Sequence, residues 1–105
     1  MDLTSDPAPL LRQRWPRFAT ELDAALGAAG EQRLRRKAGL LRVVAMCSCK
    51  DDFCQSFHTV PPTGKPYGPG HRNMCLDPPW PGYLILDVVG AAIVHVEVLY
   101  RPPLS

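Results

Sequence analysis

The apolar positions of this chain change period near residue 40. Before that point, Leu11, Trp15, Phe18, Leu22, Ala25, Leu26 and Ala29 recur at spacings of three and four, which is one apolar stripe along a helix. Asp6 suits the cap of that helix and Pro7 its first position, where a missing N–H costs nothing. Pro16 falls inside the stripe and predicts a break or kink, with the main helix running from Pro16 to about Leu26. Gly27 and Gly30 are placed to end it. "EQRLRRKAG" predicts a second short helix that stops near Gly39, with basic residues in its last turn where the macrodipole favours them. Residues 1–5 read as a loose tail.

From residue 40 the apolar residues are rich in β-branched types and alternate with polar ones. "LLRVVAMCSC" and "FCQSFHTV" predict two strands joined by turn chemistry at Lys50, Asp51 and Asp52. "PPTGKPYGPG" fits no regular element and predicts a loop. "HRNMCL" predicts a short strand and "DPPWPG" a turn. "YLILDVV" and "IVHVEVLY" are the two clearest strands. Leu84, Leu86 and Val88 share one face of the first; Val94, Val96, Val98 and Tyr100 share one face of the second. A three-residue turn at 90–92 sets Val88 opposite Val94 and Leu86 opposite Val96, building the apolar face that the helical stripe needs. The expectation is one α+β domain over 1–105, with helices in 6–39 packed on one face of a four- or five-stranded antiparallel sheet in 40–102. Its open edges predict a homodimer or another protein partner.

Composition narrows the class. A chain of 105 residues with 46% apolar and 21% charged residues can bury a core of its own. A net charge of +2 gives no general case for binding nucleic acid. No run reaches the ~18–20 apolar residues of a membrane span. The start, "MDLTSDPAPLL", has acidic residues and no basic region of a secretory signal, so a cytoplasmic setting with reduced thiols is expected.

The chemistry concentrates in "CSCKDDFCQSFH", where Cys47, Cys49, Cys54 and His58 lie within one short stretch. With a two-residue turn at Asp51-Asp52, Cys49 pairs with Cys54, Cys47 with Ser56 and Ala45 with His58. The three thiols then share one face, with His58 diagonal to Cys47. A Cys49–Cys54 pair with Cα atoms about 4.5 Å apart is just within disulfide range. Three thiolates and an imidazole also match a tetrahedral zinc, although the fourth ligand has three candidates in His58, His71 and Cys75. Small side chains buried under a helix are the third reading.

"CSCKDDFCQSF", "YGPGHRN" and "LILDVVGAAIVHVEVLYRP" together resemble a family of small bacterial proteins with a C-x-C-x-D-D-F-C segment, a G-P-G-H-R-N loop and a closing I-V-x-V-E-V-L strand. The resemblance covers residues 41–102. It departs at Lys50, where the family has Gly, and at Gly90-Ala91-Ala92, where the family has an Asp-Gly turn. It implies a bacterial source and a common fold, and no activity.

Other candidates are less specific. His71, Arg72 and Asn73 follow a glycine-flanked turn whose backbone N–H groups are suited to holding an anion, or to capping the loop itself. Asp87 falls opposite His95 and shares a polar face with Glu97, as for acid–base chemistry, metal binding or a solvated sheet face. "RLRRK" suits phosphate or a solvated helix face. No nucleotide-binding loop or serine-nucleophile elbow is present. The reading is a small intracellular interaction or accessory module without catalysis. The alternative is a thiol-dependent protein that uses Cys47, Cys49 and Cys54 for zinc or a reversible disulfide. A hydrolase using His71, Arg72 and the Asp51-Asp52 pair is a weaker third.

Overall fold

The computed structural model describes residues 7–105 and has the expected α+β class. Three helices, α1 (Leu11–Arg14), α2 (Pro16–Ala28) and α3 (Gln32–Ala38), precede five strands: β1 (Ala45–Met46), β2 (Phe57–His58), β3 (His71–Leu76), β4 (Tyr83–Val89) and β5 (Ala92–Leu99). The strands form one antiparallel sheet in the order β1-β2-β5-β4-β3.

The helical stripe divides at Trp15, whose φ of −136° and ψ of 75° break the turn ahead of Pro16. Asp6 lies outside the described residues. The expected start at Pro7 is corrected, because the first helix opens only at Leu11. Residues 9–11 instead bond to the chain after α3: Val43 N–H donates to Pro9 O and Leu11 N–H to Leu41 O. Gly27 does not end α2; it lies one residue before the helix end at Ala28. Its missing side chain leaves room for the Arg35 guanidinium, which binds the Asp23 carboxylate through Nε at 3.0 Å and Nη2 at 2.9 Å.

The same use of residues 41–43 shortens the first predicted strand. Arg42 pairs with Leu10, and only Ala45 and Met46 remain to pair with β2. The last two strands keep most of the expected register, with Leu86 opposite Val96 and Asp87 opposite His95. The turn between them differs. It holds two residues, Gly90 at φ 60° and Ala91, and the extra residue appears as a bulge at Val94. Val88 therefore faces Ile93 and not Val94. Val94 is buried but lies outside the main core, and Tyr100 is exposed at φ 59°, so neither belongs to the inner face assigned to them.

That core joins Leu11, Phe18, Leu22, Leu26 and Leu34 of the helices to Phe57, Leu84, Leu86, Val96 and Val98 of the sheet. The C-terminal segment closes over one end. Arg101 donates to Glu21 at 2.6 Å and stacks on Trp80 at 4.5 Å, and the Gln55 amide bonds Arg101 O, Pro102 O and Leu104 N–H.

Candidate functional site

Two groups of reactive side chains occupy the sheet face that turns away from the core. The first is the loop between β1 and β2. Its strand register is the expected one, with Ala45 opposite His58, and Cys47 N–H donates to Ser56 O at 2.9 Å. The ladder stops there. Lys50 takes φ 64°, the left-handed region that favours glycine, and Cys54 N–H closes a turn on Asp51 O at 3.1 Å. Cys54 then pairs with Leu99 of β5. The expected Cys49–Cys54 ladder pair, with its two-residue turn, is therefore corrected to a wider loop, because Cys54 is drawn to β5.

The loop nevertheless gathers the thiols. The Sγ atoms of Cys47, Cys49 and Cys54 all lie within 4.8 Å of one another. Cys49 N–H points back to Cys47 Sγ at 3.4 Å. All four cysteines are free, and Cys75 sits apart and exposed on β3. Among the described residues the potential metal ligands of this group are the three thiols alone; His58 is not one of them.

Ser56 tunes this cluster. It is 2% exposed, and its Oγ accepts the Val98 N–H at 2.9 Å in place of a backbone carbonyl. Its hydroxyl lies 3.3 Å from Cys54 Sγ. Burial opposes ionisation of Cys54, yet hydrogen bonds from the Ser56 hydroxyl and backbone and from the other two thiols outweigh it and hold Cys54 below the ordinary thiol value. At Cys49 the Asp51 backbone favours the thiolate, but the thiols of Cys47 and Cys54 and burial prevail and push it up to about 11. The loop thus holds one thiol below the ordinary value beside one above it.

The second group is a row across four strands. His71 Nε2 lies 2.7 Å from Asp87 Oδ1, and His95 Nδ1 lies 3.0 Å from Asp87 Oδ2. The His58 ring rests 4.6 Å from the His95 ring, and Tyr67 rests 4.8 Å from His71. All three histidines of the chain thereby meet one carboxylate or each other. Burial and the facing His95 hold His58 below the ordinary imidazole value, against the pull of Asp87. Burial, with the Asp87 charge, holds the Tyr67 phenol above its own.

The Asp87–His95 pair was legible in strand parity. The membership of His58 was not, since it needs β2 to dock on β5. His71, Arg72 and Asn73 open β3 in succession. Strand alternation separates Arg72 from its neighbours, and it lines a shallow pocket with Glu31, Arg33 and Leu34. The turn's N–H groups are partly engaged, with His71 N–H on Gly68 O. Asp51 and Asp52 precede β2 while His71 and Arg72 lie on β3 at the opposite sheet edge, which separates the parts of the hydrolase reading. Comparison of the chain with protein-family models, with curated proteins and with solved structures finds no match in any of the three, so the chemistry of the thiol loop and the histidine row carries the functional reading by itself.

Proposed function

We propose that this chain is a small accessory module that holds a soft metal ion, zinc first among them, on Cys47, Cys49 and Cys54. The observation that carries it is the gathering of three free thiols with Sγ atoms within 4.8 Å of one another. A Zn–S bond of about 2.3 Å sets tetrahedral thiolate sulfurs roughly 3.8 Å apart, so a small contraction of the loop completes the set. Thiolates select zinc and copper(I) over hard cations. Three protein ligands leave a fourth position for water or for a ligand from a partner, which is the pattern of an exchangeable site and not of a closed structural one. Such a site works where thiols stay reduced, as in a bacterial cytoplasm. The free edge of β3 supports pairing with a second copy, which sedimentation at high concentration tests.

The test is elemental analysis of freshly purified protein together with thiol titration before and after chelation. About one equivalent of metal and three thiols that become titratable on chelation are expected. Single Cys→Ser changes at 47, 49 or 54 abolish the metal, and Cys75→Ser does not. Protein that takes up neither Zn²⁺ nor Cd²⁺ from solution refutes the reading. A pair of hairpin thiols that titrates only after mild reduction makes the site a reversible disulfide instead.

A further inference from the structure

A second site lies under the proline-rich loop. The bulge at Val94 turns that side chain away from the main core, and with Val89 it makes an apolar patch at the tip of the β4–β5 hairpin. The segment from Val60 to Tyr67 lines the other side of an open space beside the patch. A cavity of about 910 Å³ remains, with Pro61 and Pro66 on the loop side and His58 on the sheet side. Val60 and Tyr67, which also line it, each stay 38% exposed. The volume suits a small organic molecule.

The polar lining decides which molecule. Apart from backbone and Thr63, it consists of His58, Lys65 and Tyr67, and among the described residues no carboxylate side chain lines the cavity. Lys65 is the cationic side chain of the lining, while the imidazole and the phenol each have a hydrogen to donate. Two of these groups are also held from behind. His58 rests on His95 and Tyr67 on His71, and both of those histidines bond Asp87. Asp87 thus bonds both of the histidines on which His58 and Tyr67 pack.

We propose that this cavity binds a small apolar monocarboxylate, its hydrocarbon part against Val89, Val94 and the loop prolines and its carboxylate on Lys65 and the donors of His58 and Tyr67. The site is separate from the thiol loop and needs no metal.

The test titrates the full chain with phenylacetate and with 4-methylpentanoate, followed by backbone amide NMR, with phenylacetamide as the uncharged match. Saturable shifts are expected at Val60 to Tyr67, Val89 and Val94 for at least one of the two acids. Phenylacetamide, and the acid on Lys65→Gln protein, should bind more weakly by up to about fivefold, the upper end for a partly solvated charge pair. Lys65 lies on an exposed loop, so its variant keeps the fold, which its own amide spectrum verifies. The proposal is overturned by no saturable shift from either acid up to about 10 mM, by shifts centred elsewhere, or by equal binding of acid and amide. An undiminished affinity in Lys65→Gln protein overturns it as well.

Discussion

Ser56→Ala tests the link between the fold and the thiol loop. In the native chain the Ser56 hydroxyl accepts the Val98 N–H at 2.9 Å, at a place where β5 meets no backbone carbonyl. Ser56 is 2% exposed, so water does not replace it freely. Alanine leaves the buried Val98 N–H without an acceptor, which costs about 1–3 kcal/mol. Against a total stability of roughly 5–15 kcal/mol this is a large loss, and each kcal/mol lowers the melting temperature by roughly 4–8 °C in a domain of this size. Urea denaturation followed by circular dichroism reads it as a lower midpoint at unchanged slope. The same change removes the hydroxyl that accepts from the Cys54 thiol and helps hold its pKa down, so Cys54 alkylates more slowly at neutral pH. An unchanged denaturation midpoint refutes the reasoning, because it shows that the Val98 N–H finds another partner without cost.

Four further outcomes are expected. Val96→Asp unfolds the chain, since Val96 is fully buried between helices and sheet and an unpaired buried charge costs several kcal/mol; a soluble variant with native melting contradicts this. Lys50→Gly stabilises by about 1 kcal/mol because φ 64° strains a residue with a side chain, and a lower melting temperature counts against it. With limiting iodoacetamide at pH 7, mass mapping finds Cys54 modified before the more exposed Cys49, and the reverse order shows that exposure outranks ionisation. His58 binds its proton more weakly in the folded than in the unfolded chain, so its stabilisation is complete above about pH 6.5 and is lost as the pH falls through the lower folded value; His58→Gln flattens that part of the stability profile, and an NMR titration midpoint at or above the ordinary imidazole value removes the basis for it.

What could be read from the sequence follows from range of interaction. The stripe from Leu11 to Leu26 and the alternation in β4 and β5 are local periodicities, and both are present. The Ala45–His58 register also came from local parity, since the buried inner face tolerates no one-residue slip. Residues 41–43 misled because their apolar, strand-like pattern is satisfied not by β2 but by residues 9–11 at the start of α1, about thirty positions away. Parity at β5 failed at Val94 because a bulge shifts the alternation by one residue, and nothing in "GAAIV" announces it. The thiol cluster was expected on the strength of a tight turn. It forms by a different route, through a wide loop and the pull of Leu99 on Cys54. Lys65 and Tyr67 went unnoticed, since a cavity wall in an irregular loop leaves no periodic trace.

The seam between β2 and β5 ties the two sites together. Between Cys54 and Thr59 the chain docks on β5 through Gln55 N–H to Val98 O, Ser56 Oγ to Val98 N–H and Thr59 N–H to Val94 O. One end of this short segment carries Cys54 of the thiol loop, and four residues on it carries His58 of the cavity. Phe57, between them, points inward and is fully buried against Trp15 and Phe18. The inner residue anchors the segment to the helices while the outer residues on either side present the chemistry, a direct consequence of the two-residue period of extended chain. The segment is thus the shortest covalent path between the sites, and it is held at both ends by the same strand. Ser56 lies midway on this seam, so Ser56→Ala separates a loss confined to the thiols from a slip of the whole segment: the first alters Cys54 alone, and the second moves the His58 ring resonances with it.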